Sequence, residues 1–217
     1  MSQRRYSAAD HLMMRLQKTL EGMAPPQPES SRPSPATQAS QTQDDSLTAQ
    51  ERAHAAGLMR VNHAGEIAAQ ALYAGQALTC RDSRIRDELK RAAEEEADHL
   101  AWCKQRVEEL GERTSKLEPF WYAGSFAIGA AAGLAGDRVS LGFVAETEKQ
   151  VCAHLQSHLQ KLPANDHSSR RIVEQMHAEE AEHGQNALDA GGTELPETIR
   201  AIMQLVSKVM TFSAYRI

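Results

Sequence analysis

Four glutamates sit where the helical periodicity of this chain reserves a place for a hydrophobe. Apolar residues recur every seven positions in four long stretches, and each stripe is broken once. The stripes are Met59–Glu66–Tyr73, Leu89–Glu96–Cys103–Leu110, Leu141–Glu148–Leu155–Leu162 and Val173–Glu180–Ala187. A stripe of this period marks the buried face of an amphipathic helix. Burying one uncompensated carboxylate costs several kcal/mol, while a whole domain is stable by only about 5–15 kcal/mol. Four such groups in one core therefore call for cations among them.

Two of the four are followed three residues later by a histidine, in Glu96-Ala-Asp-His99 and Glu180-Ala-Glu-His183. An i, i+3 step rises about one helical turn and keeps both side chains on one face, so both reach the same ion. The lone glutamates are paired with these motifs by the turns. In an antiparallel hairpin, residues equidistant from the turn lie level. The midpoint of Glu66 and Glu96 is 81, inside Cys80-Arg81-Asp82-Ser83, and that of Glu148 and Glu180 is 164, inside Pro163-Ala164-Asn165-Asp166. The hairpin is used twice, since Glu148 lies 82 residues after Glu66 and Glu180 lies 84 after Glu96. One glutamate from each of two helices and a Glu-x-x-His from each of two others is the ligand arrangement of di-iron and di-manganese carboxylate bundles. Four carboxylates balance two divalent cations with neutral histidines, and an oxygen and imidazole donor set suits iron or manganese. The neighbouring acids Glu94, Glu95, Asp98, Glu179 and Glu182 lie off the stripes and read as a solvated face. His154 and His158, an i, i+4 pair, read as surface or supporting residues. His63, one turn before Glu66, is equally suited to orienting a ligand and to an ordinary hydrogen bond.

The periodicity predicts helices over about 49–79, 83–110, 138–161 and 167–190, then a shorter one from 197 to about 213. Thr48-Ala-Gln-Glu51 reads as a capping box opening the first, and Pro119, Pro163 and Pro196 fall where the pattern lapses. Nothing reads as a sheet, so the class is all-α and the architecture a bundle. Three segments follow: an amphipathic helix within 1–23, able to dock on protein or on an anionic surface, a Pro/Ser/Gln-rich linker over 24–47, and a helical domain over 48–217. With 24 Lys and Arg against 29 Asp and Glu, the net charge is −5. That balance argues against nucleic acid, whose binding depends on concentrated positive charge. Cys80, Cys103 and Cys152 are scattered and form no CxxC pair, which points to reduced thiols. No long apolar run marks a signal peptide or a transmembrane span.

The string Leu58-Met-Arg-Val-Asn-His-Ala-Gly-Glu66, the later Tyr73-Ala-Gly-Gln76, the two Glu-x-x-His motifs and the apolar insert before Glu148 resemble the bacterial Coq7 family, over about residues 48–217. The resemblance implies a ferritin-like four-helix bundle with a long apolar crossover and an extra C-terminal helix. It also implies a di-iron monooxygenase of ubiquinone biosynthesis that hydroxylates the ring of a polyprenyl demethoxyubiquinol, with O2 as co-substrate. Carried over by position, Glu66, Glu96, His99, Glu148, Glu180 and His183 would hold two iron ions, Glu96 and Glu180 bridging. A peripheral place on the cytoplasmic face of the bacterial cell membrane is expected, in a homo-oligomer or a biosynthetic complex. The chain departs from the mitochondrial pattern at Leu155, where a tyrosine is expected, so no electron-relay role transfers to that position.

A lipid-like substrate also agrees with the residues. The connection over 111–137 is long enough to cross a bundle, and from Pro119 to Gly136 it carries no charge. Its aromatics Phe120, Trp121, Tyr122 and Phe126 cluster at one end, which favours lying in a membrane interface over spanning it. The bland alternative is a buried connection in which Gly129-Ala-Ala-Ala-Gly133 allows close helix packing. The last helix either joins that surface or caps the core. No dinucleotide fingerprint is present, so electrons would come from a transiently bound reduced nicotinamide such as NADH, from a partner, or from the quinol. A ferroxidase or iron-storage protein would use the same ligands, but an uncharged crossover is a liability on a cage surface.

Overall fold

A computed structural model of the protein describes residues 30–38 and 47–217. Among the described residues a short 3-10 turn, Pro35–Gln38, precedes six helices: α1 (Ala49–Thr79), α2 (Ser83–Glu109), α3 (Glu118–Leu134), α4 (Asp137–Lys161), α5 (His167–Asp189) and α6 (Glu197–Ala214). Among the described residues there is no strand, and the fold is an all-α ferritin-like bundle. The amphipathic helix expected within 1–23 lies outside the described residues.

Local chemistry explains the helix ends. The Thr48 hydroxyl accepts from the Glu51 backbone at 3.2 Å while the Glu51 carboxylate accepts from the Thr48 backbone at 2.9 Å, the reciprocal pair of a capping box. Asp82 caps α2 and Asp166 caps α5, each accepting from a backbone N–H of the first turn. Asp137 does double duty at the start of α4. It accepts from the backbone of Arg81 and Asp82 at 3.0 and 2.9 Å, and so pins the α1–α2 turn to the end of the crossover.

Each broken stripe spans the same three layers. Met59, Cys103, Leu155 and Val173 belong to one apolar cluster, and Tyr73, Leu89, Leu141 and Ala187 to a second. Glu66, Glu96, Glu148 and Glu180 lie between them, all buried. The order of these layers along each stripe makes α1 and α5 run one way and α2 and α4 the other. Because α2 and α4 are parallel, the chain must return along the bundle to begin the second hairpin, and α3 is that return.

The crossover is itself helical over 17 residues and packs along α1. Glycine makes the approach possible. A Cβ on Gly75 would collide with the Phe126 carbonyl oxygen, and one on Gly129 with that of Leu72. The small-residue reading of 119–136 therefore describes one face of α3. The other face leaves Phe120, Ile128 and Leu134 exposed. The last helix, α6, does not cap the core. Only its Ala214 is buried, while Ile202, Leu205, Val209 and Phe212 are more than half exposed. No described helix is long and apolar enough to cross a membrane.

Candidate metal centre

The layer between the two apolar clusters brings the glutamates of α1, α2 and α5 onto one histidine. Ligand atoms of Glu66, Glu96, His99 and Glu180 all lie within 4.8 Å of one another, and all four residues are buried. His99 Nδ1 lies 3.0 Å from Glu96 Oε2, 3.0 Å from Glu180 Oε1 and 3.9 Å from Glu66 Oε2. His183 Nδ1 lies 3.2 Å from Glu180 Oε2 and 3.3 Å from Glu96 Oε1. Glu96 and Glu180 thus face both imidazoles, one oxygen each. Glu148, buried on α4, accepts a short hydrogen bond from the Tyr73 hydroxyl. The four stripe-breaking glutamates and the two histidines of the Glu-x-x-His motifs all occupy this one layer.

Burial and mutual repulsion distribute the protons. Burial pushes Glu66 and Glu148 well above the usual carboxylate range, and the charges of Glu96 and Glu180 add to it. Burial acts the same way on Glu96, but hydrogen bonds with His183 and His99 prevail and hold it below that range. Burial opposes charge on both histidines. Hydrogen bonds to Glu179, Glu180 and Glu96 nonetheless raise His99 well above its ordinary value, and those to Glu180 and Glu96 push His183 up to about 12. Glu66, Glu148, His99 and His183 are thus all pushed toward holding a proton, positive charge of the kind that bound cations would otherwise bring. Glu148 Oε2 is buried without a hydrogen-bond partner, and Glu96 Oε1 and Glu180 Oε1 each meet only an imidazole nitrogen that a second carboxylate also contacts. Under-satisfied carboxylate oxygens and converging imidazole nitrogens are what a pair of hard or borderline cations needs.

The outer partners depart from the solvated-face expectation. Glu179 takes His99 Nε2 at 2.5 Å and Glu95 takes His183 Nε2 at 2.6 Å. Each carboxylate sits one residue before a ligand candidate on its own helix and serves the imidazole of the other Glu-x-x-His helix. Asp98 is buried and fully engaged by residues 30–32. Glu94 and Glu182 are exposed, as expected. His63 turns away from the layer, with Nδ1 3.3 Å from Glu118 Oε1 at the start of α3. His154 and His158 pack ring to ring, their centroids 3.9 Å apart, and make no site with a carboxylate among the described residues.

A cavity of about 270 Å3 between α1, α4 and α6 leads to the layer. Its walls are largely apolar, with Val61, Leu72, Ile202, Met203 and Val206 among them, and Glu66 closes one side. A second cavity, about 400 Å3, reaches Tyr73 and His183 from the opposite side past Arg91, Glu95 and Asn186. The two differ in chemistry: one suits an apolar ring, the other water and ions.

Residues 53–214 match the family described as Ubiquinone biosynthesis protein COQ7. The chain belongs to this family. Over 216 residues, 100% of this chain and 99% of the relative, it is 53% identical to the 3-demethoxyubiquinol 3-hydroxylase of Stutzerimonas stutzeri (strain A1501). It is 52% identical over the same shares to the protein of that name from Azotobacter vinelandii (strain DJ / ATCC BAA-1303). The one from Polynucleobacter necessarius subsp. necessarius (strain STIR1) is 63% identical over 171 residues, 79% of this chain and 82% of the relative. COQ7 membership agrees with the buried Glu/His layer and with the crossover helix between the two hairpins.

Proposed function

We propose that this COQ7 chain hydroxylates the benzoquinol ring of a polyprenyl demethoxyubiquinol at a di-iron centre held by Glu66, Glu96, His99, Glu148, Glu180 and His183. The observation that carries the reading is an apolar cavity ending on Glu66, one wall of a buried carboxylate and imidazole layer. Family membership makes the chain a hydroxylase of ubiquinone biosynthesis. Two ferrous ions held in the layer would supply the redox chemistry by which O2 and two electrons from a reductant such as NADH place one oxygen on the ring and one in water.

The protein's own part is position and dryness. Glu179 and Glu95 fix the outer nitrogens of His99 and His183, so that each Nδ1 faces inward. Tyr73 holds Glu148 in register from the second apolar cluster. The cavity suits a ring head group, and its apolar walls would hold that ring against the Glu66 side while excluding water. A polyprenyl tail would leave along α6, whose exposed apolar residues, with those of α3, would rest in the headgroup region on the cytoplasmic face of the cell membrane. A ferroxidase reading uses the same ligands but gives no role to that apolar cavity and is not favoured by the relatives' activity.

The deciding experiment supplies the purified chain with ferrous iron, O2, reductant and a short-chain demethoxyubiquinol, and follows the quinone by mass spectrometry. A product one oxygen atom heavier is expected. Iron oxidation with mineral deposition and an unchanged quinone would overturn the proposal in favour of storage.

A further inference from the structure

The stretch over 30–38 lies before the first residue of the COQ7 match, which begins at 53, yet it is bound to the metal-centre layer. Ser30 Oγ and the Ser31 backbone donate to Asp98 Oδ1 at 3.0 and 2.6 Å, and Arg32 Nε donates to Asp98 Oδ2 at 2.5 Å. The remaining guanidinium nitrogens of Arg32 grip Glu179 in a two-point pair, 2.6 Å to Oε1 and 3.1 Å to Oε2. Glu179 in turn takes His99 Nε2. The Trp102 indole N–H donates to Ser30 Oγ at 3.1 Å, and the Arg32 guanidinium lies 4.9 Å from the centre of the same ring. One cation thus joins a carboxylate of α2 to a carboxylate of α5, and the second touches the buried histidine.

We propose that Arg32 is a positioning residue for the metal centre: it locks Glu179 against His99 Nε2 and so fixes the direction of His99 Nδ1. The inference rests on the reading of His99 as an iron ligand. Its physical basis is the outer partner of a ligating histidine, which sets ring orientation and donor strength. A guanidinium is suited to the task because its planar fork holds two carboxylates at fixed angles, which the point charge of a lysine cannot do. A merely structural strap would need only the Asp98 contacts. The bidentate grip on Glu179 is what reaches the histidine.

Cobalt(II) titration of the full chain tests this, because its visible spectrum reports ligand geometry without any turnover. Arg32→Gln should weaken cobalt binding about ten-fold or more and alter the spectrum. Arg32→Lys should recover only part of the loss. In a Glu179→Gln background, Arg32→Gln should add nothing, since the link is already cut. Asp98→Asn keeps an oxygen acceptor for Arg32 Nε and leaves the Glu179 pair, so it should alter the spectrum less than Arg32→Gln does. Wild-type affinity and spectrum in Arg32→Gln, beside two cobalt ions bound by the wild type, would overturn the proposal and leave the metal centre standing. A wild-type chain that binds no cobalt would instead sink the metal-centre reading on which the proposal depends.

Discussion

The Tyr73 hydroxyl donates to the carboxyl of Glu148, tying α1 to α4 at the level where the bundle is most polar. Tyr73 keeps its proton because burial raises its pKa well above the ordinary value, with the charge of Glu148 adding to the effect. The phenol is therefore a donor near neutral pH. Tyr73→Phe removes it and takes from Glu148, one of whose oxygens already lacks a partner, the donor that α1 supplies. The expected loss is about 1–3 kcal/mol of stability, the cost of stranding a buried polar group, read by urea denaturation of chelator-treated protein. Glu148→Gln keeps an acceptor in place and should cost much less, so equal losses from the two changes would refute the assignment.

Cation binding should displace protons. Glu66, Glu148, His99 and His183 all hold their protons more tightly than usual, the carboxyls through burial and the imidazoles through their bonds to Glu179, Glu180 and Glu96. Two divalent ions need those positions deprotonated. Titrating ferrous or cobalt ions anaerobically into weakly buffered protein at neutral pH should release protons in step with the ions bound. Affinity should fall steeply as pH is lowered, since protons and cations compete for the same atoms. Release of no protons would mean that the ions bind elsewhere.

How much of this centre can be read from the chain depends on the range of the contacts involved. The six inward residues are legible because a glutamate that breaks a stripe of period seven is a local anomaly, and level positions follow from where turn residues fall. Both turns lie where the midpoints place them, and the five periodic helices end within a residue or so of expectation. The sixth helix, α3, is harder to read because it is apolar and small on nearly every side, so no polar face betrays its period. Glu95 and Glu179 look like solvated neighbours of a ligand, for their partner is an imidazole on another helix. Arg32 carries no signal at all: it sits in a proline-rich tract, and its partners lie 66 and 147 residues away.

Two glycines of α3 should respond to alanine in opposite directions. In an exposed helix interior, Gly→Ala ordinarily gains about 1 kcal/mol. Gly124 meets that condition, as a Cβ there would touch nothing. Gly129 does not, because its Cβ would strike the Leu72 carbonyl and force α3 off α1. Gly124→Ala should therefore raise the melting temperature, and Gly129→Ala should lower stability by about 1–3 kcal/mol, the usual cost of overpacking. Matching melts for the two variants would mean that α3 is not seated on α1 in solution.

Membrane contact should follow the exposed apolar residues. Phe120, Leu205 and Phe212 are each more than 60% exposed, so replacing all three with serine removes apolar surface without opening the core. Co-sedimentation with anionic liposomes should drop several-fold while the melting temperature and bound metal stay as in the wild type. Undiminished sedimentation would show that another surface makes the contact.

His154 and His158 give the protein an acid sensitivity separate from the metal layer. Burial pushes His154 down to about 4 and His158 to about 2, with the positive charge of Lys161 contributing to both. An unfolded histidine titrates near 6.5. Above that value both rings are neutral whether the chain is folded or not, and they add no pH dependence. Below it the unfolded chain takes up protons that the folded one refuses, so stability falls as the solution becomes more acidic. Each ring should cost about 2 kcal/mol by about pH 5. His158→Leu replaces the more deeply buried ring with an apolar side chain and removes one of these proton sites from the unfolded chain. The difference in unfolding free energy between wild type and His158→Leu should therefore be constant above about pH 7 and shift in favour of the variant on acidification, measured by urea denaturation at a series of pH values. A difference that stays flat through the acid range would show that His158 protonates in the folded bundle as readily as in the unfolded chain.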